Sequence, residues 1–221
     1  MKRSFYSDTI SNFIKSPIDL ILGSITKSNE FNLELTQKSS WVYQIQHLKE
    51  IIDKYEGLIF FEFSIPRMGK RIDVLLVIKN VIFVLEYKVG EKEYLSGNYD
   101  QVYDYCLDLK NFHETSHKHL IVPILIATEA NDFCTAIEFN SKDNLLEPIK
   151  SNSFQLDSIL KNVLEFANGE NIHLETWEEG RYAPTPTIIE AAMALYNGHA
   201  VEEISRNDAD AINLKIGRAH V

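Results

Sequence analysis

The chain has 221 residues, 45% hydrophobic and 24% charged, an ordinary globular balance that suits one domain or one domain with a small appendage. Its formal net charge of −10 excludes a general basic surface that coats nucleic acid, though not a local cationic patch beside an acidic site. It holds no run of about 18 apolar residues to span a membrane, and its start, MKRSFYSDTISNF, lacks the apolar core of a signal peptide.

In chain order, Phe5 to Ser28 reads as short helical pieces broken at Pro17. Ser39 and Ser40 are placed to cap a helix from about Trp41 to Tyr55, with Trp41, Ile45, Leu48, Ile52 and Tyr55 as its apolar stripe and Gly57 as its stop. Leu58 to Ile65 reads as the first strand. The loop after it carries Arg67 and Lys70, with Arg71 next in line; these cations suit a backbone phosphate or, equally, an exposed turn. Gly69-Lys70 lacks the rest of a Walker A loop, so no nucleotide is expected in the P-loop manner.

The next stretch, RMGKRIDVLLVIKNVIFVLEYK, predicts a hairpin turning at Lys79-Asn80. A two-residue loop pairs Ile78 with Val81, sets Asp73 opposite Glu86, and sets Arg71 opposite Lys88. Strict alternation places those four charges on one face, shared nearer the turn with Leu75, Val77, Ile82 and Val84. Both faces of the hairpin are otherwise apolar, which predicts a sheet covered by helices. Opposed carboxylates repel, and burial sharpens the conflict. A divalent cation resolves it, carboxylate oxygens being hard ligands for Mg²⁺ or Mn²⁺. A salt-bridged cluster, with Arg71 and Lys88 neutralising Asp73 and Glu86, is the alternative.

A helix is expected from about Asn98 to Phe112, burying Val102, Tyr105, Cys106 and Leu109. Gln101 and Tyr105 are four apart and stack on one side. Gln101 is placed to bond a water or phosphate, and Tyr105 is either a substrate contact or a core aromatic. Asp100, Asp104 and Asp108 read as a solvated face. No cysteine or carboxylate completes a zinc set with His113, His117 and His119, which are read as bonding around a helix end. Leu120 to Thr128 is the central strand, parallel to its predecessor through a right-handed crossover. Thr135 to Phe139 reads as a strand and Phe154 to Phe166 as a helix. Pro184-Thr185-Pro186 is a stiff joint, and Thr187 to Glu190 matches a capping box. Cys106 and Cys134 are expected as free thiols of a reducing, cytoplasmic compartment.

Asp73, a hydrophobic strand and then Glu86-Tyr87-Lys88 resemble the PD-(D/E)xK nuclease signature, with Ile72 where proline is named. Gln101 and Tyr105 resemble the additional Q-x-x-x-Y motif of RecB-like nucleases. The wider wording, IPRMGKRIDVLLV, VLEYKVGEKEY, DQVYDYCLDLKNFHETSH and IVPILIATEA, resembles the N-terminal domain of Schlafen-like DNA/RNA helicases. The resemblance runs over most of 41–130 and more thinly to about 214. It implies an α/β, restriction-endonuclease-like mixed sheet of about four core strands between helices. It also implies metal-dependent phosphodiester hydrolysis, nucleic acid as partner, and a P-loop motor C-terminal in the full-length chain. Asp73 and Glu86 would hold Mg²⁺ or Mn²⁺ with the Tyr87 carbonyl; Asp73, Glu86, Lys88 and Gln101 would be catalytic. Arg67, Lys70, Arg71 and Tyr105 would bind substrate. Where many such nucleases offer a helix glutamate, the best-placed polar residue here is Gln44. That departure leaves open a catalytically inactive module that binds nucleic acid or positions the motor. The expected organisation is a nuclease-like domain over 1–183, a helical connector over 184–215, and a tail over 216–221 that reads like a translated sequencing adapter, so that the chain is expected to be part of a longer frame.

Overall fold

The structure is a computed structural model and describes residues 3–28, 35–66, 68–131, 137 and 143–182. The expectations for Arg67, Cys134, the strand from Thr135 and everything from the Pro184 joint onward lie outside these residues.

The turn at Lys79-Asn80 sets the register on which the sheet is built. Lys79 takes a φ of 55°, the left-handed conformation that tight hairpins use. Ile78 pairs with Val81 and Leu76 with Phe83, so the loop has two residues, as the pattern predicts. Strand β2 (Gly57–Ile65) pairs antiparallel with β3 (Lys70–Ile78), and β3 with β4 (Val81–Lys88). Helix α4 (Ser96–Phe112) then carries the chain back, so β5 (Leu120–Ala127) runs parallel to β4, as expected. Among the described residues the mixed sheet has six strands, the four long ones at its core. Two short edges are added: β1 (Tyr6–Thr9), antiparallel to β2, and β6 (Ile149–Ser151), parallel to β5. Tyr6–Thr9 was expected within a helical piece. Four residues are too few for a period to show, and the edge of β2 supplies the backbone partners that decide it.

Helices cover both faces. On one side lie α1 (Ile10–Lys15), α2 (Ile18–Ser28), α3 (Leu35–Ile51) and α5 (Leu156–Phe166), whose apolar stripes meet Ile59, Phe61, Val74, Leu76, Phe83 and Leu85. On the other side α4 and the short α6 (Leu174–Trp177) pack over Phe60, Phe63, Leu75, Val77, Ile82 and Val84. Helix α3 starts before Ser39 and Ser40, which therefore lie within it rather than capping it. Ser40 instead accepts a hydrogen bond from the Gln44 side chain, 3.3 Å. Among the described residues no helix is long and apolar enough to cross a membrane.

The alternation of faces breaks once, in two strands together. Phe61 packs on the α3 side but Phe63 on the α4 side, and Val74 and Ile72 divide in the same way. The reversal falls at Glu62 and Asp73. The pairs Phe61↔Val74 and Phe63↔Ile72 keep one register, so no residue is inserted and this is not a β-bulge. Glu62 has a φ of 53°, a conformation that costs a side-chain-bearing residue about 1–2 kcal/mol.

Candidate active site at the end of the central strands

The C-terminal end of β4 delivers Glu86 and Lys88 to the α4 side of the sheet. Glu86 is only 2% exposed. Its Oε1 accepts from Lys88 Nζ and from Gln101 Nε2, each at 2.8 Å. Its Oε2 is buried without a hydrogen-bond partner. Leaving a buried carboxylate oxygen unpaired costs more than a typical hydrogen bond contributes, so this atom is the chemically exposed feature of the cluster.

Asp73 is half-buried, and its Oδ2 accepts from the Tyr87 backbone N–H at 2.8 Å. The β3–β4 register continues outward only to Val74↔Leu85. Beyond that pair the Asp73 carboxylate, not a β3 carbonyl, takes up the Tyr87 amide. The strand pattern predicts Asp73 directly opposite Glu86; the structure instead sets the Asp73 carboxylate against the backbone between Glu86 and Lys88. Burial pushes the Asp73 carboxyl well above the usual carboxylate range, with the charges of Glu86 and then Glu62 adding to it; the Tyr87 N–H and Lys88 oppose. Burial also raises Glu86, against the pull of Lys88, Lys70 and Gln101. Two carboxylates each pushed toward the neutral form, around one unpaired oxygen, make a site suited to a positive charge.

Gln101 on α4 donates through the same Nε2 to the Tyr105 hydroxyl at 2.7 Å. Tyr105 is 2% exposed, and burial with the nearby Glu86 charge raises its phenol to about 12. Its ring thus lies in the core and its hydroxyl braces Gln101. Lys70 is exposed and near enough to lower Glu86. Arg71 does not join the carboxylates: its guanidinium lies 4.3 Å from the centre of the Phe5 ring, which packs on the α3 side. The reversal at Asp73 explains this correction, because it exchanges the faces of the two residues that precede it. Gln44 is buried at 3% exposure with Oε1 unpaired, and it makes no hydrogen bond to Asp73 or Glu86. Asp108, expected on a solvated face, is buried. His113 is also buried, contacting Ser116 Oγ through Nδ1 at 2.7 Å and Arg3 through Nε2 at 3.3 Å, which fits its expected place at a helix end.

Two groups near the site were not found by sequence reasoning. Glu62 accepts from the Trp41 indole N–H at 2.8 Å; its carboxyl is raised by burial and lowered by Trp41 and Arg71. A lone charge inside LIFFEFSI is the signal that could have flagged it. The second is the buried link of His47 to Tyr87. The His47 Nε2 faces the Ser153 carbonyl at 2.8 Å and so carries the proton, which leaves Nδ1 to accept from the Tyr87 hydroxyl at 3.0 Å. No sequence spacing announces a pair 40 residues apart.

Comparison with protein-family models, with curated proteins and with solved structures finds no match to this chain.

Proposed function

We propose that this chain is a nuclease domain with a restriction-endonuclease-like fold that hydrolyses phosphodiesters with Mg²⁺ or Mn²⁺, serving a helicase motor in DNA or RNA processing, repair or defence in the cytoplasm. The observation that carries the reading is the buried, unpaired Glu86 Oε2 beside the half-buried carboxylate of Asp73. The donor set fits a hard divalent cation: Asp73 and Glu86 supply carboxylate oxygens, and both are held in the high-pKa state that a cation would reverse. Such an ion, when bound, polarises a phosphoryl oxygen and lowers the pKa of a coordinated water.

The remaining roles belong to the protein. Lys88 has its ammonium held at Glu86 Oε1, where it can meet the negative charge that grows on the phosphoryl oxygens during attack. Gln101, fixed between Glu86 and Tyr105, presents an amide to a water or a phosphate oxygen. Lys70 provides an exposed cation for the substrate backbone. A specific observation favours a second reading, a non-catalytic module that binds nucleic acid or positions the motor. Among the described residues no group of three or more His, Cys, Asp or Glu is arranged to hold a metal, and the α3 position carries Gln44.

Labelled single- and double-stranded DNA and RNA, incubated with Mg²⁺, Mn²⁺ or chelator, separate the two readings. Cation-dependent cleavage is expected, with Lys88→Ala slowing turnover by roughly a hundredfold and Gln101→Ala by less. Cleavage that persists in chelator refutes the mechanism, and binding without cleavage selects the second reading.

A further inference from the structure

We propose that the left-handed backbone at Glu62 is the device that positions the Asp73 carboxylate, which makes Glu62 a positioning residue acting through its neighbour on β3. The value of that position rests on the nuclease reading; the geometry does not.

In a regular antiparallel ladder, residues 62 and 73 would form the pair between Phe61↔Val74 and Phe63↔Ile72. A positive φ at Glu62 turns its N–H and C=O out of the ladder direction, and the pair is missing from an otherwise continuous register. The break has two consequences on β3. Asp73 loses its partner on β2, and the side chains before it change faces, as Ile72 on the α4 side and Arg71 over Phe5 show. Released from the regular pleat, the Asp73 side chain swings into the gap between β3 and β4 and takes the Tyr87 N–H at 2.8 Å. Regular alternation would hold the carboxylate on one face of the sheet, away from a backbone amide that lies in the plane of the sheet.

The Glu62 side chain meets α3. Trp41 is buried at 1% exposure, and its indole N–H ends on Glu62 Oε1 at 2.8 Å. The strain lies on β2, and its effect appears one strand further on. Strained residues persist where their surroundings over-determine them.

The Tyr87 amide reports on this directly in the full 221-residue chain, by its ¹⁵N–¹H resonance and its hydrogen exchange. Asp73→Ala, which removes the acceptor, supplies the reference for the lost bond. Glu62→Gly, which tolerates positive φ, is expected to leave the Tyr87 resonance and protection as in the parent. Glu62→Val, which resists positive φ, is expected to move the resonance toward the Asp73→Ala position and to speed exchange by roughly tenfold or more. Glu62→Ala replaces the valine variant if that one does not fold. If Glu62→Gly loses the Tyr87 bond, the side chain and not the backbone is the device, and the proposal fails. It fails equally if Glu62→Val or Glu62→Ala folds with the Tyr87 amide unchanged. No cation or substrate enters these measurements, so a failure of the nuclease reading, seen as absence of cation-dependent cleavage by the parent, is distinguishable from a failure here.

Discussion

Replacing Asp73 by asparagine tests the candidate site at the point where its charge is least compensated. Asparagine keeps an oxygen to accept from the Tyr87 N–H, and so preserves the 2.8 Å contact that closes the end of the hairpin. What it removes is a negative charge that burial and the neighbouring Glu86 push toward the neutral form. In chelator the variant is therefore expected to melt at or above the parent. With Mg²⁺ or Mn²⁺ the order should reverse, because only the parent offers both carboxylates. A cation at a hundred times its dissociation constant stabilises the native state by about 2.7 kcal/mol. At about 2–4 °C per kcal/mol for a domain of this size, that amounts to a rise of about 5–10 °C in the parent. The assay is a thermal melt of both proteins in chelator and across a cation titration. A salt-bridged structural cluster cannot produce the crossing, since it has no use for added cation. A cation-induced rise in the parent no larger than in Asp73→Asn refutes the metal assignment.

Two further outcomes follow from particular groups. The Asp73 carboxyl is raised on folding, so its charge destabilises the native state at neutral pH; that loss is recovered as pH falls through the raised value and is complete below the unfolded value near ~4. In chelator, urea titrations should show the stability gap between Asp73→Asn and the parent narrowing from pH ~8 to pH ~4; a gap that widens on acidification contradicts the sign. Gly57 opens β2 so close to β3 that an added Cβ would lie 2.1 Å from the Val77 carbonyl oxygen. Gly57→Ala should cost about 3 kcal/mol or more by denaturant unfolding, and near-parental stability would show that the strands can separate there without penalty.

The hairpin was the most legible part of the chain. Two apolar arms around Lys79-Asn80 allow one economical pairing, and β3 and β4 adopt it. The parallel return to β5 was legible for a similar reason, since an apolar run after a helix has few places to go. Asp73, Glu86, Lys88 and Gln101 were legible as a set because their types and spacing are unusual at the end of a greasy sheet. Their arrangement was less so. Strict alternation carries Arg71 and Asp73 to one face, and nothing in the sequence announces that Glu62 adopts a positive φ and reverses the order. The partners of Trp41, His47 and Tyr87 were invisible because each contact joins elements far apart in sequence. The edges β1 and β6 were missed because four and three residues carry no readable period.

Those short edges bear on how the molecule avoids its own kind. Strands β2 to β5 are apolar on both faces, and a long strand of that composition at a sheet edge is a template for pairing with another chain. Here the two outermost positions go to segments too short to extend far, one bearing Asp8 and the other an exposed Lys150. Charge and brevity at the margins discourage intermolecular pairing. Tyr6–Thr9 thus do more than extend the sheet: without them the flank of β2 from Leu58 to Phe61 would be the sticky edge from which ordered aggregates grow.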